Sequence, residues 1–324
     1  MFCIEFEFAK FVFWRYKMFF RTDLALERRD IYRKANNLED EIPGIKYNVE
    51  NIGKNKITRV EITSKEGEEA LNKKIGNYIT IDVNKINNLL EEENQKIVEL
   101  LSNEIEKIVD KHIGKSEDVL VVGLGNLYST PDSLGSKVVK KIEITRHIKK
   151  YMPQYIDKNA RAISAVAPGV LGMTGIETWE FLKGIVDNVK PKLILAIDSL
   201  CSKSVNRISK SIQISDTGIV PGGGVGNARI ELTKESLGIP VIALGIPTCV
   251  DVATITEDGI NLWIDNLKEK ENIDTKVLEK NNNYESIKEA LLPSDLNFIV
   301  TPKEIDELIE NMTEIVSVGI NNAI

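Results

Sequence analysis

The sequence predicts an α/β fold in which helices cover both faces of a largely parallel or mixed sheet. Short apolar runs alternate with amphipathic segments through the second half of the chain, a pattern typical of parallel strands connected by helices. Strands are predicted at 119–124, 163–166, 193–197 and 241–244. Helices are predicted between them, at 131–141, 175–188 and 199–209.

The first half of the chain predicts a small N-terminal β excursion followed by a long helix. Residues 57–63 and 78–83 alternate apolar and polar side chains, which predicts two short strands that pair with each other. Residues 86–113 carry a single apolar stripe at helical spacing, so one amphipathic helix is expected there.

The last 60 residues predict an exposed excursion and a final helix. Residues 268–293 are polar and contain three consecutive asparagines, which indicates an excursion over 265–296. In the final helix, Thr301 is the expected N-cap, Pro302 the first helical residue, and Glu304 the partner that completes a capping box.

Composition restricts the class of protein. The chain has 324 residues, of which 42% are apolar and 28% charged, an ordinary globular composition that suffices for one large or two modest domains. A single α/β catalytic domain over 24–324 is the prediction. A net charge of −7 argues against a nucleic-acid partner. Its apolar runs are shorter than the roughly 18 residues of a membrane helix. The three cysteines, Cys3, Cys201 and Cys249, lack metal-binding spacing and suit a reducing cytoplasm.

The N-terminal segment 1–23 is interpreted as a leader or pro-segment. It holds seven of the nine phenylalanines of the chain, and charged residues interrupt it, so it does not have the continuous apolar region of a signal peptide. Three interpretations stay open: an added segment, a pro-piece, or a start assigned too early, with Met18 as the true first residue.

Two aspartates are the leading catalytic candidates. Asp132 follows the turn Gly123-Leu-Gly-Asn126 and lies in the first turn of a predicted helix, where a carboxylate also stabilises the helix dipole by about 0.3–1 kcal/mol. Asp198 ends the apolar run 193–197, and the structural alternative is an N-cap of the helix predicted from Ser199.

Both acids are expected at the carboxyl ends of strands, the edge at which open α/β sheets bind ligands. Two carboxyl groups in one site repel each other when both are ionised, so one keeps a proton while the other activates water. Peptide hydrolysis without a covalent nucleophile requires such a division of roles. The chain contains neither a His-Glu-x-x-His zinc signature nor a Gly-x-Ser-x-Gly nucleophile turn.

A glycine-rich stretch at 211–227 is predicted to form one wall of a cleft, and the structural alternative is a long glycine hairpin. It contains five glycines without the Gly-Lys-Ser/Thr of a phosphate loop. Asp216 within it is a third candidate acid. Its Asp-Thr-Gly triplet matches the active-site triplet of pepsin-like proteases, but a match over three residues is a weak signal. His147, after Thr145-Arg146, is a candidate supporting residue, whereas His112 is expected at the surface.

Many short motifs occur in an order that resembles the germination protease family of spore-forming bacteria. The motifs run from Arg21 to the C-terminal region: Arg21-Thr-Asp-Leu-Ala25, Gly123-Leu-Gly-Asn126, Thr130-Pro-Asp132, Thr145-Arg-His147, Ala167-Pro-Gly169, Thr174-Gly-Ile-Glu-Thr178, Ala196-Ile-Asp198, Gln213-Ile-Ser-Asp-Thr-Gly218, Gly224-Val-Gly-Asn227, Gly238-Ile-Pro240 and Thr301-Pro-Lys-Glu304. The resemblance is weak over roughly 35–115 and 265–295.

This resemblance implies an endopeptidase that degrades small acid-soluble spore proteins in the spore core during germination. It implies a self-processing zymogen cut between Asp23 and Leu24, a homotetramer, no cofactor, and catalytic roles for Asp132 and Asp198. The implied fold is that of hydrogenase maturation endopeptidases. Supporting or substrate-binding roles fall on a further set of positions: Asn126, Asp216, Gly218, Gly224, Gly226 and His147. The aromatic segment 1–20 departs from the polar pro-segments expected of the family.

Two other functions stay open. Gly123-x-Gly-Asn126 and Asp132 also resemble the hydrogenase-processing enzymes, so a metal-assisted maturation endopeptidase is possible, with His147 as its histidine and chelator sensitivity as its test. The alternative without catalysis is a small-ligand-binding α/β module, for which Asp132→Asn would leave function intact.

Overall fold

The computed structural model describes residues 22–83, 92–222, 229–271, 284–291 and 298–324. The predicted leader up to Arg21, the predicted helix start at 86–91, and much of the predicted excursion lie outside these residues. Within them, no helix combines the length and apolar character needed to cross a membrane.

The strands of the described residues form one mixed sheet. In chain order they are β1 Ile45–Ile52, β2 Asn55–Ile62, β3 Gly76–Asp82, β4 Val119–Gly123, β5 Ile163–Val166, β6 Leu193–Ser202, β7 Ser211–Ser215, β8 Val241–Asp251 and β9 Ile299–Val300. Their spatial order is β1-β2-β3-β7-β8-β6-β4-β5, with β9 paired to β8. The pairs within β8-β6-β4-β5 are parallel, and the remaining pairs are antiparallel.

The helices cover both faces of this sheet. They are α1 Ala25–Ala35, α2 Lys65–Leu71, α3 Glu92–Asp110, α4 Leu134–Val139, α5 Arg146–Tyr151, α6 Leu171–Thr174, α7 Thr178–Val189, α8 Lys234–Leu237, α9 Val252–Glu271, α10 Tyr284–Leu291 and α11 Ile305–Ala323. Short 3-10 turns lie at Thr130–Asp132, Pro153–Tyr155 and Val205–Arg207.

Two apolar layers explain why the central strands are apolar at nearly every position. Val119 and Val121 of β4 pack in a cluster with α3, α4 and α11. Leu120 and Val122, which point to the opposite face, pack with α7 and α8. Because successive side chains of a strand alternate between faces, a strand covered on both sides is apolar throughout. The predicted α/β class with helices on both faces is therefore confirmed.

The N-terminal β excursion is also confirmed, and it is larger than expected. β2 and β3 pair in antiparallel register, with Ile57 opposite Ile81. The sequence pattern missed β1, which is exposed at six consecutive positions and so lacks a clear alternation. It also missed β7, which joins β3 to β8 and makes the excursion continuous with the central sheet.

The helix predicted at 199–209 is wrong. β6 continues through Ser202, and residues 205–207 form only a 3-10 turn. The reason is tertiary, because β6 pairs with β8 as far as Ser202 and Val250, so the sheet satisfies the backbone there. Asp198 therefore lies within a strand and does not cap a helix.

The predicted start of the last helix is wrong by several residues. The helix begins at Ile305, and Glu304 occupies the N-cap position without a side-chain capping bond. The Thr301 hydroxyl instead donates a hydrogen bond of 3.0 Å to the carbonyl of Thr248. A local capping pattern is thus overridden by a contact with β8.

Candidate active site

Glycines at the end of β4 bring Asp132 back to the sheet. Gly125 has a φ of +93°, a region that L side chains rarely adopt, and a Cβ there would lie 2.1 Å from the carbonyl oxygen of Asp132. A Cβ on Gly135 would lie 2.4 Å from the carbonyl oxygen of Ile197 in β6. The close approach that these glycines allow places the Asp132 turn against the strand that carries Asp198.

Asp132 is half-buried in this turn. The backbone N–H of Asn126 donates a hydrogen bond of 2.8 Å to its Oδ2. Burial raises the pKa of Asp132, and the Asn126 hydrogen bond opposes that rise. The residue thus has a donor that favours its ionised form. Asn126 contributes to the site through its backbone, while its own side-chain oxygen accepts the N–H of Tyr128.

Asp198 is more deeply buried, with 5% of its surface exposed. Burial is the main cause that raises its pKa well above the ordinary value, and the negative charges of Asp132 and then Asp23 add to it. The Ser199 backbone N–H donates a 2.9 Å hydrogen bond to Oδ1 and opposes this rise. The two carboxyl groups therefore differ in their environments, and Asp198 is the one that more readily keeps a proton.

Both acids line one cleft of about 510 Å³ at the carboxyl edge of the parallel strands. Its wall includes Gly218, Ile219 and Gly222 of the glycine-rich stretch. Gly218 has a φ of +82°, and Ile219 bonds to Leu232 across the stretch as an isolated antiparallel bridge. Gly224 and Gly226 lie outside the described residues.

Asp23 of the predicted processing site also lines this cleft, whereas Leu24 is not among the lining residues. Leu24 is fully buried and has an extended backbone, with φ −82° and ψ 123°. The Asp23 N–H donates to the carbonyl of Cys201 at 2.9 Å, and the Cys201 N–H donates to Asp23 Oδ2 at 2.9 Å. Since β4 ends opposite Ile197, Asp23 occupies the part of the β6 edge that β4 does not reach.

Arg28 and Lys73 are two of the four basic residues that line the same cleft, and their positions were not predicted from the sequence. Burial lowers the pKa of Arg28. Burial, followed by the positive charge of Arg28, lowers the pKa of Lys73 to about 8, while Asp23 opposes the shift in both residues. The local sequence gives no sign of these positions, because they reach the cleft from α1 and from the chain after α2.

A buried glutamate fixes the segment that follows Asp23. The Glu27 carboxylate accepts the N–H groups of Lys203 at 2.7 Å and Ser204 at 3.1 Å, and it also accepts the Thr22 hydroxyl. Arg207 Nε lies 3.4 Å from the same carboxylate. These contacts attach α1 to the loop after β6, independently of the Asp23–Leu24 bond.

Glu27→Gln is expected to lower the free energy of unfolding by about 1–3 kcal/mol, because the charged acceptor of several buried donors is lost. Urea unfolding followed by circular dichroism measures the change. Glu69→Gln on the exposed side of α2 is the matched control and should change the value by less than about 0.5 kcal/mol. Equal stabilities for the two variants would show that Glu27 does not anchor α1.

The other predicted polar residues, Asp216 and His147, are not among the residues that line the cleft. Asp216 accepts the backbone N–H and the side-chain amide of Asn77, both at 2.7 Å, and His112 Nε2 lies 3.6 Å from it. His147 is exposed on α5, beside Thr145, whose N–H bonds to Ile163 at the start of β5. Among the described residues, no group of three or more His, Cys, Asp or Glu side chains is arranged to hold a metal ion.

Comparison with known proteins identifies similar sequences along nearly the whole chain. The family model described as germination protease matches residues 23–280 and 275–324. A germination protease of Caldanaerobacter subterraneus subsp. tengcongensis is 48% identical over 310 residues, which cover 94% of this chain and 94% of that protein. A germination protease of Clostridium tetani is 42% identical over 310 residues, which cover 94% of this chain and 95% of that protein.

Among solved structures, a nickel–iron hydrogenase maturation protease from Thermococcus kodakarensis is 14% identical with a TM-score of 0.31. The match covers 66% of this chain and 98% of that one.

Proposed function

The chain belongs to the germination protease family and is a peptidase, and we propose that it is an endopeptidase of spore germination with Asp132 and Asp198 as its catalytic pair. The observation that carries the proposal is the unequal environment of two acids that line one cleft. A general base and a general acid need different protonation states at the same pH, and the larger upward shift of the Asp198 pKa supports this assignment of roles.

The proposed reaction uses a single water molecule. Asp132 accepts a proton from the water while the oxygen of the water attacks the carbonyl carbon of the peptide. Asp198 then donates its proton to the leaving nitrogen, the C–N bond breaks, and the products carry a new carboxyl group and a new amino group. Proton exchange with solvent restores the pair. Because two coupled carboxyl groups titrate together, the activity should follow the ionisation of the pair.

We further propose that the chain is a zymogen that cuts its own Asp23–Leu24 bond. The position of this bond supports the proposal, because Asp23 bonds to the edge of β6 and influences the pKa of Asp198. A segment held in the cleft excludes other peptides until it is cut. By family membership, the proposed substrates are small acid-soluble spore proteins, the assembly is a homotetramer, and the location is the spore core.

The test is the intact mass of the purified full-length chain after incubation under mildly acidic conditions. The wild-type chain is expected to gain a species that begins at Leu24, whereas Asp132→Asn and Asp198→Asn stay whole. Asp187→Asn is the matched control, because Asp187 is an exposed acid of α7 that pairs with Lys183 at the surface. It should process at the wild-type rate.

Two results would contradict the proposal in different ways. Normal processing by both aspartate variants would show that neither acid is catalytic. Loss of wild-type processing on addition of a chelator, with recovery on addition of metal, would favour the metal-assisted maturation endopeptidase. That alternative required a histidine in the site, and His147 lies on the exposed side of α5.

A further inference from the structure

The side chain of Gln213 holds both sides of the Asp23–Leu24 peptide. Its Nε2 donates a hydrogen bond of 3.1 Å to the carbonyl oxygen of Asp23, and its Oε1 accepts the N–H of Ala25 at 2.8 Å. One partner is an acceptor and the other a donor, so the orientation of the amide is determined by its contacts. The carbonyl that receives the hydrogen bond belongs to the bond proposed for cleavage.

The sheet aligns Gln213 with Asp198 across a glycine. Gly245 of β8 is the register partner of Asp198 in β6 and of Gln213 in β7. Side chains of paired residues on neighbouring strands point to the same face. Gly245 has no side chain, and the Leu200 side chain fills the space beside it, because a Cβ on Gly245 would lie 2.5 Å from Leu200 Cγ. Asp198, Leu200 and Gln213 all line the same cleft. Neighbouring strands are about 4.8 Å apart, so the two flanking backbones are separated by about twice that distance.

The surroundings of Gln213 suit a fixed hydrogen-bond donor. The residue is 7% exposed and lies in a strand that is paired on both sides, with Thr80 of β3 as its other partner. Ile212 and Ile214 on either side of it pack into the apolar cluster of α3 and α11, which leaves the amide pointing to the opposite face. A rigid donor in a buried site stabilises developing negative charge more strongly than water does.

We propose that Gln213 is a catalytic residue that stabilises the oxyanion formed on the carbonyl oxygen of the cleaved bond, while its Oε1 positions the residue after the new amino terminus. The inference rests on the proposed self-processing at Asp23–Leu24. Peptides cut in trans would bind in the same way, because both contacts are to backbone atoms and any sequence can make them.

The test compares Gln213→Glu with Gln213→Met in the full-length chain. Both variants lose the Nε2 donor, and their first-order processing rates, measured by intact mass, should fall by about 10²–10³-fold. The glutamate keeps an oxygen for the Ala25 N–H, so hydrogen exchange of this amide should stay slow in Gln213→Glu and become fast in Gln213→Met. A protonated glutamate regains a donor, so acidification should narrow the deficit of Gln213→Glu but not that of Gln213→Met.

Matched controls are Gln95→Glu and Gln95→Met on the exposed side of α3, which should process at the wild-type rate. Wild-type rates in both Gln213 variants, with Asp132→Asn and Asp198→Asn inert, would overturn the role of Gln213 and leave the catalytic pair intact. Slow Gln213 variants alongside active aspartate variants would instead overturn the pair and retain Gln213. A wild-type chain that never gains a Leu24 terminus would overturn the oxyanion role together with self-processing.

Discussion

Asp198→Asn is expected to inactivate the peptidase and, at neutral pH, to raise the stability of the folded chain. The loss of a general acid lowers the rate by about 10²–10⁴-fold. The gain in stability has a separate cause. Burial and the charges of Asp132 and Asp23 disfavour the ionised form of Asp198 in the folded state, and an asparagine of the same shape avoids that penalty.

The pH dependence of this effect follows from the direction of the pKa shift. The pKa of Asp198 is higher in the folded chain than in the unfolded chain, so the folded state binds the proton more tightly. This contribution to stability is fully present below the ordinary aspartate pKa and is lost as the pH rises through the folded pKa. The loss of folding stability caused by ionised Asp198 in the wild-type chain therefore reaches its full value only above the folded pKa.

Thermal unfolding measures the difference between Asp198→Asn and wild type at two pH values. The two Tm values should agree at about pH 4, near the ordinary pKa of aspartate, and the variant should have the higher Tm at about pH 7. Asp187→Asn provides the control for removal of one negative charge at the surface. A variant that is inactive and also less stable than wild type at neutral pH would show that Asp198 is a structural acid.

Gly135→Ala is expected to destabilise the fold and to abolish activity together. The added Cβ would lie 2.4 Å from the Ile197 carbonyl oxygen and 2.6 Å from the backbone nitrogen of Leu124. Both contacts are to backbone atoms of the sheet and its turn, so α4 must move away from β6. Overpacking of this kind typically costs about 1–3 kcal/mol. The same movement displaces Asp132, which precedes α4 by two residues, from the strand that carries Asp198.

Gly184→Ala is the matched control for this change. A Cβ at Gly184 meets no atom within 4 Å, and the residue lies in the middle of α7. This substitution should stabilise the fold by about 0.5–1 kcal/mol, because glycine disfavours a helix interior. Urea unfolding and the processing assay together measure both variants. If Gly135→Ala kept wild-type stability and activity, the close contact of α4 with the sheet could not be what positions Asp132.

Asp132 and Asp198 stand out in the sequence because each follows an apolar run, and both line one cleft of the structure. The rule that parallel strands place their carboxyl ends at one edge does not describe Asp198 fully, because β6 continues through Ser202. The helix after Asp198 could not be predicted correctly, because the length of β6 depends on β8. The residue at which a strand ends depends on the strands that pair with it, whereas its apolar run is visible in the local sequence.

The contacts around the bond proposed for cleavage illustrate what local patterns cannot reveal. Gln213 and Asp23 are separated by 190 positions, and only the completed sheet brings them together. Residues 211–215 alternate polar and apolar side chains, but nothing in this local pattern connects them to Asp23. Asp216 is the reverse case. Its motif suggested a catalytic role, but its carboxylate accepts hydrogen bonds from the backbone and the side-chain amide of Asn77.

The early end of β4 has a consequence for the kind of protein that can be digested. Beyond Ile197, the edge of β6 is bonded to Asp23: the Asp23 N–H donates to the Cys201 carbonyl, and the Asp23 carboxylate accepts the Cys201 N–H. We expect a peptide that replaces Asp23 to add to this edge in an extended conformation. Compact domains, whose backbones are already paired internally, cannot adopt that shape. We expect the enzyme to select its targets first by the freedom of their chains and only afterwards by their side chains.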